Sequence, residues 1–121
     1  VAEEHRAAEN GELSVTRSDV DGVTVLGLRG EIDCDTVGAL ARAMPPADPT
    51  AGSRVVVDLS GVTFMDSSGI NALIAAHQVT RAARGWLRLA GLRDPVRRTV
   101  ELVGLDTLAT CHPTVREAIA A

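Results

Sequence analysis

The sequence is poor in aromatic residues: one Trp, one Phe and no Tyr, 2% of 121 residues. The core must therefore be built from Val, Leu, Ile and Ala, which dominate a hydrophobic fraction of 45%. With a net charge of −4, the chain also lacks the basic stripe and stacking platforms of a nucleic-acid binder. Cysteine is scarce. Cys34 and Cys111 are too few and too far apart for a zinc site or a disulfide framework, and they read as reduced thiols. A bridge between them would need Cα atoms within about 7 Å. No apolar run approaches the roughly 20 residues of a membrane-spanning helix. The N-terminal VAEEHRAAENGE is polar and acidic, unlike a signal or transit peptide. Walker A and G-x-G-x-x-G loops are absent. So is the nucleophile elbow G-x-S-x-G, because Met65 stands two residues before Ser67. None of the three histidines is placed as a base for that serine, and no metal-ligand spacing occurs. The residues predict neither an enzyme nor a bound metal or cofactor.

What is present centres on Val55 to Ala76, VVVDLSGVTFMDSSGINALIAA. Val55, Val56 and Val57 open a short β-branched run through Leu59, the mark of a strand buried on both faces. Ser60 to Asp66 reads as a loop. Then the period changes: Ile70, Leu73, Ile74 and His77 fall at i, i+3, i+4 and i+7, the stripe of an amphipathic helix. His77 lies on that stripe as a buried, satisfied side chain rather than a base. Ser67, Ser68 and Gly69 sit at the joint, where the first helical amides lack partners and favour negative charge. A serine there can cap the helix or carry a phosphate that those amides meet. The spacing leaves both open.

The rest of the chain supplies the frame. Val1 to Glu12 has no apolar periodicity and reads as a flexible tail, so a single domain is expected over residues 13–121. Leu13 to Thr16 and Val23 to Arg29 read as an antiparallel pair joined at Asp21-Gly22. Gly30 to Thr36 is a turn, with Asp33 or Asp35 available as a helix cap. Val37, Leu40, Ala41 and Met44 form a helical stripe that ends at Pro45-Pro46, and Ala47 to Ser53 is a loop. The central helix runs to about Arg84, with Gly85 as its stop. Trp86 to Gly91 is a strand. Asp94-Pro95 starts a third helix, with Val96, Val100 and Val103 inside and Gly104 at its end. Arg93, Arg97 and Arg98 read as a wet helix face rather than an anion site. Thr107 to Thr110 is a short strand, and Pro113-Thr114 opens a last helix. A hairpin followed by strand-helix units predicts an α/β fold with a mixed, mostly parallel sheet. The joint serine then lies at the C-terminal edge of a parallel strand.

Phe64-Met65-Asp66-Ser67-Ser68-Gly69-Ile70, entered from Val-Asp-Leu-Ser, resembles the signature of anti-sigma factor antagonists, members of the sulfate transporter and anti-sigma antagonist (STAS) family. The resemblance covers about Leu13 to Ala120. It implies a STAS-like sheet of about five strands with four helices mainly on one side. It implies that Ser67 is phosphorylated by a partner kinase, with Asp66, Ser68 and Gly69 completing the motif. Gly30-Glu31-Ile32-Asp33 is similar to the family's acidic loop, so Glu31 and Asp33 are implied partner contacts. Cys34 stands where many relatives carry a polar residue, and Asn71 where many carry a second glycine. The resemblance further implies an anti-sigma factor with serine kinase activity as partner, a phosphatase as the reversing enzyme, and a cytoplasmic monomer that frees a sigma factor. A ligand-sensing or scaffold STAS module of a transporter or assembly is the alternative.

Overall fold

A computed structural model describes residues 5–9, 13–44 and 52–121, the first of these segments as backbone. Six strands form one sheet: β1 (His5–Glu9), β2 (Leu13–Val20), β3 (Val23–Ile32), β4 (Arg54–Met65), β5 (Trp86–Ala90) and β6 (Cys111–His112). Their order across the sheet repeats their order in the chain. β1, β2 and β3 pair antiparallel; β3 to β6 pair parallel. The helices are α1 (Val37–Ala43), α2 (Ser67–Ala82), α3 (Asp94–Leu102) and α4 (Val115–Ala120).

This order dictates the layering. Parallel strands added always on the same side, through right-handed crossovers, must place every crossover helix on one face. Accordingly α1, α2 and α3 share one buried cluster with Val55, Val57 and Leu59 of β4. α4 follows the last strand, bridges no further pair, and lies on the other face with Val23, Val56 and Ala90. The run Val55, Val56 and Val57 is thus buried on both faces of the sheet, each residue at 0% exposure. Arg88 ties the second face together: its guanidinium stacks 3.6 Å from the Trp86 ring centre and donates to the Ala118 carbonyl at 2.9 Å.

The expected fold class holds, with local differences that have physical causes. β1 lies within the stretch expected as a tail; it joins through the backbone ladder of β2, which needs no apolar periodicity. β3 continues to Ile32 and β4 to Met65, through residues read as a turn and a loop. β4 hides its strand character because its register against β3 shifts twice, between Gly27 and Arg29 and between Gly30 and Glu31. Each shift puts an extra residue into β4, breaking the period-2 alternation. Gly61 sits at the first shift, where a Cβ would come 2.8 Å from the Leu28 carbonyl oxygen.

In α1 the expected stripe holds at Leu40, which is buried, and at Val37 and Met44, which pack against the core; Ala39 is buried in place of Ala41, which is exposed. The expected stop at Pro45-Pro46 and most of the Ala47 to Ser53 loop lie outside the described residues. α2 ends in a Schellman arrangement: Gly85 N–H donates to the Thr80 carbonyl and Arg84 N–H to that of Arg81. Arg84, not Gly85, takes the left-handed conformation, with φ of 62°. Gly85 is required for a different reason, since a Cβ there would collide with the Ser53 backbone. Val103 is exposed, so the inner face of α3 is Val96 and Val100. The last strand is Cys111–His112, because Leu105–Thr107 form a 3-10 turn instead.

Candidate functional site

The site is built where β3 and β4 end side by side. Ile32 pairs with Met65 in parallel register, and Glu31 with Phe64. The next residue of β4, Asp66, donates its N–H to the Ile32 carbonyl at 3.1 Å. The chain leaving β4 is therefore clamped to the chain leaving β3 at the point where α2 begins. The loop of residues 33–36 and the start of α2 share one edge of the sheet.

The cap of α2 is Asp66. Its Oδ1 accepts from the amides of Ser68 at 2.8 Å and Gly69 at 3.4 Å. The two readings of the serine are thus separated by geometry. Ser67 is the first helical residue, it is exposed, and its hydroxyl makes no hydrogen bond among the described residues. Ser68 is half-buried. Gly69 is buried against the strand ends: a Cβ there would strike Met65 and come 2.9 Å from Cγ2 of Ile32. Only glycine lets α2 start this close to both strands.

The two acids expected from the neighbouring loop have different duties. Asp33 Oδ1 accepts from the amides of Asp35 at 2.9 Å and Thr36 at 3.1 Å. It shapes the turn rather than capping α1, whose start has no side-chain cap. The buried Thr36 hydroxyl completes the loop, donating to the Glu31 carbonyl at 2.8 Å and accepting from the Asp33 amide at 3.0 Å. Glu31, by contrast, is exposed and pairs with no cation among the described residues. Cys34 and Asp35 are exposed at the tip. Sequence reasoning passed over Phe64 as a site residue. It is 49% exposed, and the signal that could have found it is that the chain's one phenylalanine adjoins the motif.

Other candidates resolve as structure. Two of the three clustered arginines are engaged: Arg93 donates to the Ser60 carbonyl at 2.7 Å, and Arg97 to that of Leu92 at 3.2 Å, near Asp94. All three arginines are exposed. His77 is buried as expected but not satisfied, since its Nδ1 has no hydrogen-bond partner among the described residues. Cys34 and Cys111 are free thiols. They lie at the ends of β3 and β6, three strand spacings or about 14 Å apart across the sheet, beyond disulfide reach. The Cys111 thiol is pushed above its ordinary pKa, first by partial burial and then by Asp106 and Glu101. Among the described residues no three His, Cys, Asp or Glu side chains gather as a metal site, and no helix is long and apolar enough to cross a membrane.

A chain-ordered mixed sheet thus presents an exposed serine beside the aspartate cap of α2. The STAS domain model matches residues 15–118, and the chain belongs to that family. Within it the chain groups with the anti-sigma factor antagonists. It is 32% identical over 108 residues to the anti-sigma-F factor antagonist RsfB of Mycobacterium tuberculosis, covering 88% of this chain and 87% of that one. It is similar to the crystal structure of an anti-sigma factor antagonist from Mycobacterium paratuberculosis, at 30% identity and a TM-score of 0.71 over 94% and 97% of the two chains. A Thermotoga maritima structure, described as a putative anti-sigma factor antagonist, shares the fold with a TM-score of 0.77 at 20% identity, over 86% and 90%. Antagonists of this kind are regulators, not enzymes.

Proposed function

We propose that this chain binds an anti-sigma factor with serine kinase activity through the surface around Glu31, Asp33, Asp66, Ser67, Ser68 and Gly69, and so frees a sigma factor. Phosphorylation of Ser67 ends the association. The chain acts in the cytoplasm as a monomer, and a phosphatase restores the binding form. The observation that carries this reading is the Ser67 hydroxyl: exposed, outside any hydrogen bond among the described residues, and beside a cap that another residue supplies. Nothing structural is lost when that oxygen is esterified. The kinase transfers the γ-phosphoryl group of ATP to Ser67 Oγ, the hydroxyl proton leaves to a base on the kinase, and ADP departs.

The product carries about −1.5 to −2 extra charges. It stands beside Asp66, whose carboxylate already occupies the amides of Ser68 and Gly69. The helix start has little capacity left to offset the phosphate, so the added charge faces the partner. A loss of about 3 kcal/mol, near a hundredfold, moves such a complex from mostly bound to mostly free.

The test is to incubate the protein with candidate anti-sigma kinases and ATP, then map the phosphate by mass spectrometry. Phosphate is expected on Ser67. Ser67→Asp should weaken binding about a hundredfold with native circular dichroism, and Ser67→Ala should accept no phosphate yet bind. Phosphate on Ser68 instead, or full affinity in Ser67→Asp, overturns the reading.

A further inference from the structure

The single phenylalanine of the chain is not in the core. Phe64 belongs to neither buried cluster and stands 49% exposed, three residues before Ser67. Its position follows from the second register shift between β3 and β4. The extra residue there lets Val62 and Met65, three apart, both enter the core, and Phe64 is turned to water between them. Its register partner on β3 is Glu31. Asp33 and Asp35 follow in the next loop, and Asp66 follows on its own strand. None of these four carboxylates forms an ion pair among the described residues.

We propose that Phe64 is the apolar anchor of the interface, seated in an apolar pocket of the anti-sigma factor rimmed by arginine or lysine. This rests on the functional reading above and names the contact that supplies its affinity. Binding energy in protein interfaces concentrates in a few desolvated anchors, aromatic residues foremost, while a surrounding polar ring excludes water. Here the ring is acidic. A second copy of this chain would bring the same carboxylates against their like, which repels. A basic-rimmed pocket is complementary. The carboxylates then steer the encounter, and the phenyl ring slows dissociation. A phosphate on Ser67 adds bulk and a tightly held hydration shell beside the seat of the ring, and this exclusion outweighs its added attraction to the basic rim, so the modification works by keeping the anchor out.

The experiment uses the anti-sigma factor recovered in the phosphorylation test, with binding kinetics measured at low and high salt. Phe64→Ala should weaken binding about 30-fold or more, mainly through faster dissociation and to a similar degree at both salts. Phe64→Leu, a second variant that keeps apolar volume, should recover part of the loss. Glu31→Gln should slow association at low salt and matter little at high salt. Phe64→Ala binding within about threefold of wild type, while Ser67→Asp still fails to bind, overturns the anchor and leaves the functional reading intact. A wild-type dimer in solution that Phe64→Ala dissolves also overturns it, by making a second copy the occupant. If no anti-sigma factor binds the unmodified chain, both readings fall together.

Discussion

The starts of α2 and α4 are both capped by a short polar side chain, yet only one leaves a hydroxyl free. At α4, Thr114 Oγ1 accepts from the Glu117 amide at 3.1 Å and hydrogen-bonds the Glu117 carboxylate at 3.2 Å. Both bonds of the N-cap hydroxyl thus go to the N3 residue, Glu117. The hydroxyl is spent, and the first turn already holds an acid. At α2, Asp66 does the capping, the first turn holds no acid, and the Ser67 hydroxyl one position later bonds to nothing among the described residues. A hydroxyl at a helix start is usually consumed by the helix. Where an aspartate takes that duty, the neighbouring serine can be modified without dismantling the cap.

Stability measurements sharpen this contrast. The largest effect is expected at Asp66: its carboxylate serves two amides and fixes the start of a 16-residue central helix, so Asp66→Ala should cost about 1–2 kcal/mol in urea denaturation. Gly69→Ala should cost on the order of 1 kcal/mol. The clash with Met65 and Ile32 opposes a helix-propensity gain of about 0.5–1 kcal/mol. A stabilised variant would show that the strand ends yield. Thr114→Ala should cost about 0.5–1 kcal/mol, less than Asp66→Ala because α4 is a six-residue terminal helix. Equal losses at the two caps would erase the distinction. Ser67→Ala should stay within about 0.5 kcal/mol of wild type. A loss above about 1 kcal/mol would mean that the hydroxyl supports the fold after all.

The legible part of the fold was the part governed by period. Val55 to Val57 announced β4 because an unbroken β-branched run marks a strand buried on both faces, and the stripe Ile70, Leu73, Ile74 and His77 announced α2 because burial there follows the 3.6 repeat. Ser60 to Met65 did not read as strand, since two register shifts scramble the alternation. Arg84 concealed the end of α2, because it occupies a left-handed position that glycine usually fills. At the site, the serine and its acidic neighbour were visible in the motif, but the division of labour was not. Whether Ser67 or Asp66 serves the amides depends on backbone angles at the joint. The local duty of Asp33 was hidden too: its Oδ1 accepts from the amides of Asp35 and Thr36. Glu31 carries no such local bond.

The chain-ordered sheet also bears on how the molecule is made. Each strand from β2 to β6 pairs with the one synthesised just before it, so no strand waits for a distant segment to arrive. The ribosome delivers the domain as a series of additions to an existing edge, each closing a modest stretch of chain. The parallel additions pair residues about 20–30 apart through a crossover helix, which is slower than closing a hairpin. Stopped-flow refolding from urea should follow a single exponential, with Ser67 gaining its final surroundings only once α2 settles on the ends of β3 and β4.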